Sequence, residues 1–201
     1  MIILPPAPLP LRNIRWRCPE PAQVNRSAWT GRSKVIGLPG IATWQMEATF
    51  VAQIGVAQGR PWRAFFMALR GQLNMFRVRG VEAVQTAAAN AAVRSGGDAD
   101  TTLPLEGLPA NATVLRAGDL MTVTLPSGHE RMVCLIAPLV SNGQGQGTAT
   151  FAPELGEVPI AGSTVEIREP WSLMRLSSEP PGWDVDAGQI YRFQVQAEEA
   201  L

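Results

Sequence analysis

Ala112-Thr-Val-Leu-Arg-Ala-Gly118-Asp-Leu-Met-Thr-Val-Thr-Leu-Pro126-Ser-Gly-His-Glu130-Arg-Met-Val-Cys-Leu-Ile-Ala137 is the stretch whose reading decides the fold. Three short runs of aliphatic and β-branched residues, 112–116, 119–125 and 130–137, are divided by Gly118-Asp119 and Pro126-Ser-Gly128. Glycine supplies positive φ and proline presets φ for a turn, so each break reads as a chain reversal rather than a helix end. The same rhythm continues through 146–152, 163–168, 172–177 and 189–196, with turns at Ser141-Asn-Gly143 and Ala161-Gly162. Many short strands at close turn spacing predict an all-β barrel or sandwich.

Towards the N-terminus the periods change. Trp44 to Ile54 alternates, with Trp44, Met46, Ala48, Phe50, Ala52 and Ile54 on one side and Gln45, Glu47, Thr49 and Gln53 on the other. That is a half-buried strand. Pro61 to Arg70 instead repeats Trp62, Phe65, Phe66 and Leu69 at helical spacing. Pro61 suits the first helical position, and Gly71 suits the residue after the last turn. Ile14 to Arg17 and Asn74 to Arg79 read as strands, and 25–31 as a loop or turn. Residues 1–11 are a proline-rich extended arm. Val81 to Val93 is alanine-rich with few large anchors, and reads as a surface insertion, helical or irregular. The chain is therefore expected to be mainly β, a barrel or sandwich, in one domain over 1–201. It has one short amphipathic helix near 61–70, an Ala-rich insertion near 81–93 and a seam near 94–104.

Net charge is zero, but residues 1–80 hold eleven Lys or Arg against two Glu, and residues 81–201 hold six Arg against fifteen acids, so the halves stand at +9 and −9. The cations are nearly all arginine, whose planar fork tolerates interfaces. Either the halves neutralise each other within the chain, or the basic side of one copy meets the acidic side of another. A nucleic-acid role is not expected, because the cations are spread through apparent strands. No stretch is long and apolar enough to span a bilayer, and the proline-broken N-terminus has no basic leader.

Residues that carry chemistry are sparse. His129 is the only histidine, in a hairpin tip beside Ser127 and Glu130. Cys18 and Cys134 lie far apart and are expected to be free thiols. Asp98 and Asp100 beside Glu106 could make a weak cation site but read as a solvated acidic loop, and one His with two distant Cys makes no zinc site. Gly143-Gln-Gly-Gln-Gly147 lacks the Lys-Ser/Thr ending of a phosphate loop. The pairs Glu154/Glu157 and Asp184/Asp186 sit in turns. No catalytic, cofactor or metal residue is expected, and the chain is read as a non-enzyme. Interface residues are expected at Trp29 and Trp183, which stand among turn residues, and at Arg77 and Arg79, on one face of a strand.

A chain of landmarks runs through Trp29-Thr-Gly31, Trp44-Gln-Met-Glu47, Arg60-Pro-Trp-Arg-Ala-Phe-Phe-Met-Ala-Leu-Arg-Gly71 and Asn74-Met-Phe-Arg-Val78. It continues through Leu115-Arg-Ala-Gly-Asp-Leu120, Gly147-Thr-Ala-Thr-Phe-Ala-Pro153 and Ala161-Gly-Ser-Thr-Val165. On these landmarks, over roughly 25–175, the chain resembles tail proteins of long-tailed bacteriophages, in particular distal-tail and baseplate-hub-like proteins. The helix block is the most specific part. The resemblance implies a ring-forming virion component, commonly a hexamer, that joins tail tube to hub at the tail tip and is assembled in the host cytoplasm. It implies no catalytic residue. The competing expectations are a receptor- or carbohydrate-binding β module using Trp171, Trp183 and Tyr191, or another tube or baseplate protein.

Overall fold

A computed structural model of the chain describes residues 1–38, 41–94, 100–177 and 182–200. In chain order the first elements are β1 (Leu11–Arg17), β2 (Ala22–Arg26), β3 (Ser33–Gly37), β4 (Gln45–Phe50), β5 (Gln53–Ile54), α1 (Val56–Leu69) and β6 (Met75–Arg79). Next come β7 (Ala91–Val93), β8 (Thr102–Glu106), β9 (Thr113–Leu115), β10 (Leu120–Thr124), β11 (Glu130–Leu135), β12 (Leu139–Val140), β13 (Gly147–Ala152) and β14 (Thr164–Glu166). The last are β15 (Trp171–Leu176), β16 (Trp183–Asp186) and β17 (Ile190–Glu199). The fold is mainly β with one helix, and every run predicted from 112 onward is a strand.

The strands make two cores. An antiparallel sheet runs β1-β4-β17-β15-β6, and the N-terminal half of β17 also pairs with β16 and β5. Its inner face presents Met46, Ala48, Phe50, Phe76, Val78, Met174, Phe193 and Val195, and α1 covers that face with Trp62, Phe65, Phe66 and Leu69. Phe50 lies edge-on to Trp62 with ring centres 5.1 Å apart, and Phe66 sits 5.5 Å from Phe193. Such tilted contacts set positive ring edges against negative faces and add to the area buried. The second core fills a closed barrel, β10-β11-β13-β8-β7-β14. Leu103, Leu105, Met121, Val123, Val133, Leu135 and Val165 are completely enclosed there, with Phe151 the one aromatic ring. A small β9–β12 pair contributes Leu115 and Leu139 to the same core. The barrel strands all fall within 91–166, so the barrel is entered after β6 and left before β15.

Three local expectations change. The helix begins at Val56, and Pro61 lies inside it rather than at its first position. Gly55 takes φ 85° at the cap, and the Gln58 side chain accepts the Ile54 N–H at 3.0 Å, so a reach-back glutamine secures the start. Pro61 denies the Ala57 carbonyl its helical partner, but both residues are exposed, where water substitutes. The C-terminal expectation holds in outline: Arg70 and Gly71 both turn left-handed, and Asn74 caps the Ala68 carbonyl at 2.9 Å.

The alternation of 44–54 breaks at Val51-Ala52, and Ile54 is exposed rather than buried. The alanine-rich stretch forms no helix. Residues 81–90 are irregular, because Gln85 side-chain bonds to Leu120 and Ile167 replace a helical ladder, and 91–93 is a barrel strand. The expected seam at 94–104 lies partly outside the described residues; its described end is β8 of the barrel.

The arm is extended and anchored. Ile3 donates to the Met75 carbonyl at 2.7 Å, Met75 donates back to Met1 at 2.9 Å, and Ile3 and Leu9 pack on the aromatic core. Barrel and sheet are joined by Trp44, whose Nε1–H donates to the Met132 carbonyl at 2.7 Å, and by Thr122, whose hydroxyl donates to the Trp171 carbonyl at 2.6 Å.

Candidate assembly interface

Between the two cores lies a buried ion pair that the sequence does not announce. Arg131 of β11 reaches Glu199 of β17 at 2.6 Å, and both side chains are fully enclosed. The Arg131 guanidinium also donates to the Ala42 and Glu154 carbonyls at 2.6 and 2.8 Å, and Glu199 accepts the Trp44 N–H at 3.1 Å. One Glu199 oxygen, Oε1, has no partner among the described residues. Burial pushes the Glu199 carboxyl above the usual carboxylate range, with Arg131 pulling the other way. The group is a structural tie between barrel and sheet. Sequence periodicity missed it, because Arg131 falls at a strand position where either face was open.

Arg77 and Arg79 share the outer face of β6, as expected, but both are engaged within the chain. Arg77 forks onto Glu130, donating from Nε at 2.7 Å, and its guanidinium stacks 4.7 Å from the Trp171 ring. Trp171 donates from its indole to the same carboxylate at 2.8 Å. Arg79 meets Glu169 at 2.9 Å. These two pairs neutralise only two of the eleven N-terminal cations. The other nine, Arg12, Arg15, Arg17, Arg26, Arg32, Lys34, Arg60, Arg63 and Arg70, have no ion pair among the described residues. Most of the charge asymmetry is therefore left on the surface.

Trp29 stands where an anchor would. It is 98% exposed, at the apex of the turn joining β2 and β3. Ser27 and Arg32 close that turn through a backbone bond of 2.9 Å, and the Thr30 N–H donates to the Ser27 hydroxyl at 3.2 Å. All ten strand residues of this hairpin are exposed. What reads as a loop in sequence is a projecting β-hairpin; Val24 and Val35-Ile36 on either side of Ser27–Gly31 were the available signal. Trp183 is half-buried against the sheet core at the start of β16.

The remaining chemistry stays local. The Ser127 hydroxyl lies 3.0 Å from His129 Nδ1 in an exposed turn, and the Ser127 N–H donates to Glu157 at 3.1 Å. Among the described residues no group of three His, Cys, Asp or Glu is placed to hold a metal; Asp98 lies outside them. Cys18 and Cys134 are free, and burial raises both thiols, Cys18 to about 11. Of the aromatics expected to serve a glycan platform, Trp171 is stacked under Arg77 and Tyr191 is buried. Among the described residues no helix is long and apolar enough to cross a membrane. The chain matches no protein-family model, and no curated protein matches it.

Proposed function

We propose that the chain is a structural subunit of the tail tip of a long-tailed bacteriophage, a ring-forming, distal-tail-like adaptor between tail tube and baseplate hub. The observation that carries this reading is the surface. A rigid β scaffold presents a projecting hairpin, an exposed apical tryptophan and nine N-terminal cations without an ion pair among the described residues. A monomer gains nothing from ordering such a hairpin, since an isolated two-stranded ribbon is marginal in water. An assembling subunit gains an anchor. The resemblance of the Arg60–Gly71 block to tail-tip proteins supports the same reading, and that block is the helix covering the aromatic core.

In this role the arginines and hairpin hold neighbouring subunits, the barrel is a rigid spacer, and no bond of a substrate is made or broken. Negative-stain microscopy of the chain, alone and co-expressed with tail-tube and hub proteins, tests it. Rings that stack on tube ends are expected. A protein that stays monomeric and binds neither partner contradicts the proposal.

A further inference from the structure

Two exposed strand edges on this chain match each other in charge and shape. The first is the β2–β3 hairpin. Cross-strand pairing sets Val24 beside Val35 and Arg26 beside Ser33 on one face, and Gln23 beside Ile36 and Asn25 beside Lys34 on the other, so each face carries an exposed aliphatic side chain next to a cation. Between Glu20 and Glu47 the chain has no acid, while Arg26, Arg32 and Lys34 are all exposed. Whatever receives this element must offer negative charge, an apolar surface and an open backbone edge.

The second edge is β16. It pairs only with β17 among the described strands, leaving its other edge without a ladder. Its sequence, Trp183-Asp-Val-Asp186, places an exposed valine between two carboxylates. Asp186 already pairs with Arg192 at 2.9 Å, and Asp184 has no ion pair among the described residues. An open, hydrogen-bond-hungry edge is a template for strand addition. The acidic 153–160 turn, the other acidic and apolar surface, has no strand edge to offer and sits against Ile41 at the root of the same chain's hairpin.

Resting on the ring-forming reading above, we propose that the hairpin of one copy adds through β3 to the β16 edge of a second copy, setting Lys34 against Asp184, with Arg26 and Arg32 adding to the positive charge of the joint and Trp29 seated beyond it. The two surfaces are different patches of one chain, so the contact is head-to-tail. Such contacts propagate and close into a ring when the rotation permits.

That directionality makes the test specific. One variant, R26E/K34E, loses the hairpin but keeps the edge; another, D184K, keeps the hairpin but loses the edge. Each, measured by mass photometry with circular dichroism as the folding check, should associate at least about tenfold more weakly than the parent, because like charges face each other across the joint. Mixed, the two should assemble again, because each hairpin then meets an edge of opposite charge. The triple variant R26E/K34E/D184K should recover self-association. If R26E/K34E assembles as the parent does, the hairpin-to-edge contact is wrong while the ring-forming reading survives. If the parent itself never associates, with or without tube and hub proteins, both fall together.

Discussion

The barrel and the open sheet solve the same problem in opposite ways. In the barrel every strand edge is taken by a neighbour, and the core is aliphatic apart from Phe151. Closure leaves no template for another chain, so that half of the molecule is finished within itself. The sheet ends at β1 and β6, borrows a helix to cover one face, and fills its core with interlocking aromatic rings. The basic half of the chain that builds most of it also carries the projecting hairpin and the cations without ion pairs. Self-sufficiency and availability are segregated in one chain.

The tie between the two regions gives the largest expected effect. Replacing Arg131 by Met leaves Glu199 buried without its cation and should cost about 3–5 kcal/mol in denaturant unfolding. The loss should also become pH-dependent. With Arg131 gone, the Glu199 carboxyl in the folded state titrates still further above its unfolded value. The folded protein then holds a proton that the unfolded chain has released, so stability falls as pH rises through that interval and recovers on acidification. Unfolding curves for the variant that are flat in pH between roughly 5 and 8 would mean that the carboxylate is solvated.

Within the sheet core, Phe66→Ala should cost about 3–5 kcal/mol, since the ring touches both Phe50 and Phe193. Gly59→Ala is a sharper probe of the same packing. A Cβ there would lie 2.5 Å from the Tyr191 ring, so the ring must move, at about 1–3 kcal/mol. Arg77→Ala should cost less, about 1 kcal/mol, because the fork to Glu130 and the stack on Trp171 are partly exposed and screened. Smallest of all, Trp29→Ala should leave monomer unfolding within about 0.5 kcal/mol of the parent, as for other surface sites. A larger loss would show that the hairpin serves the fold and not a partner.

Strand rhythm made the second half of the chain legible. Seven runs delimited by Gly, Pro and Asn turns became strands with ends displaced by at most three residues, because turn chemistry is local. The buried helix stripe was legible for the same reason. Closure was not. Nothing in Ala91-Ala-Val93 distinguishes a three-residue barrel strand from the end of a helix, since propensity favours one and the pairing with β8 and β14 decides for the other. The interlock of Arg131 with Glu199 joins residues 68 apart and depends on how two cores meet, which no period encodes. Of the expected interface residues, Trp29 stood out as a lone aromatic among turn residues. The engagement of Arg77 and Arg79 with acids of the other half could be read only from the folded register.

Sedimentation velocity of the intact chain across ionic strength tests the central claim most directly. Nine cations without an ion pair among the described residues, facing an acidic neighbour, should give an assembled species at low salt. Screening over about 8–10 Å should weaken it only partly near physiological salt, because apolar contacts around Trp29 persist. A single monomeric boundary at every salt concentration would contradict it.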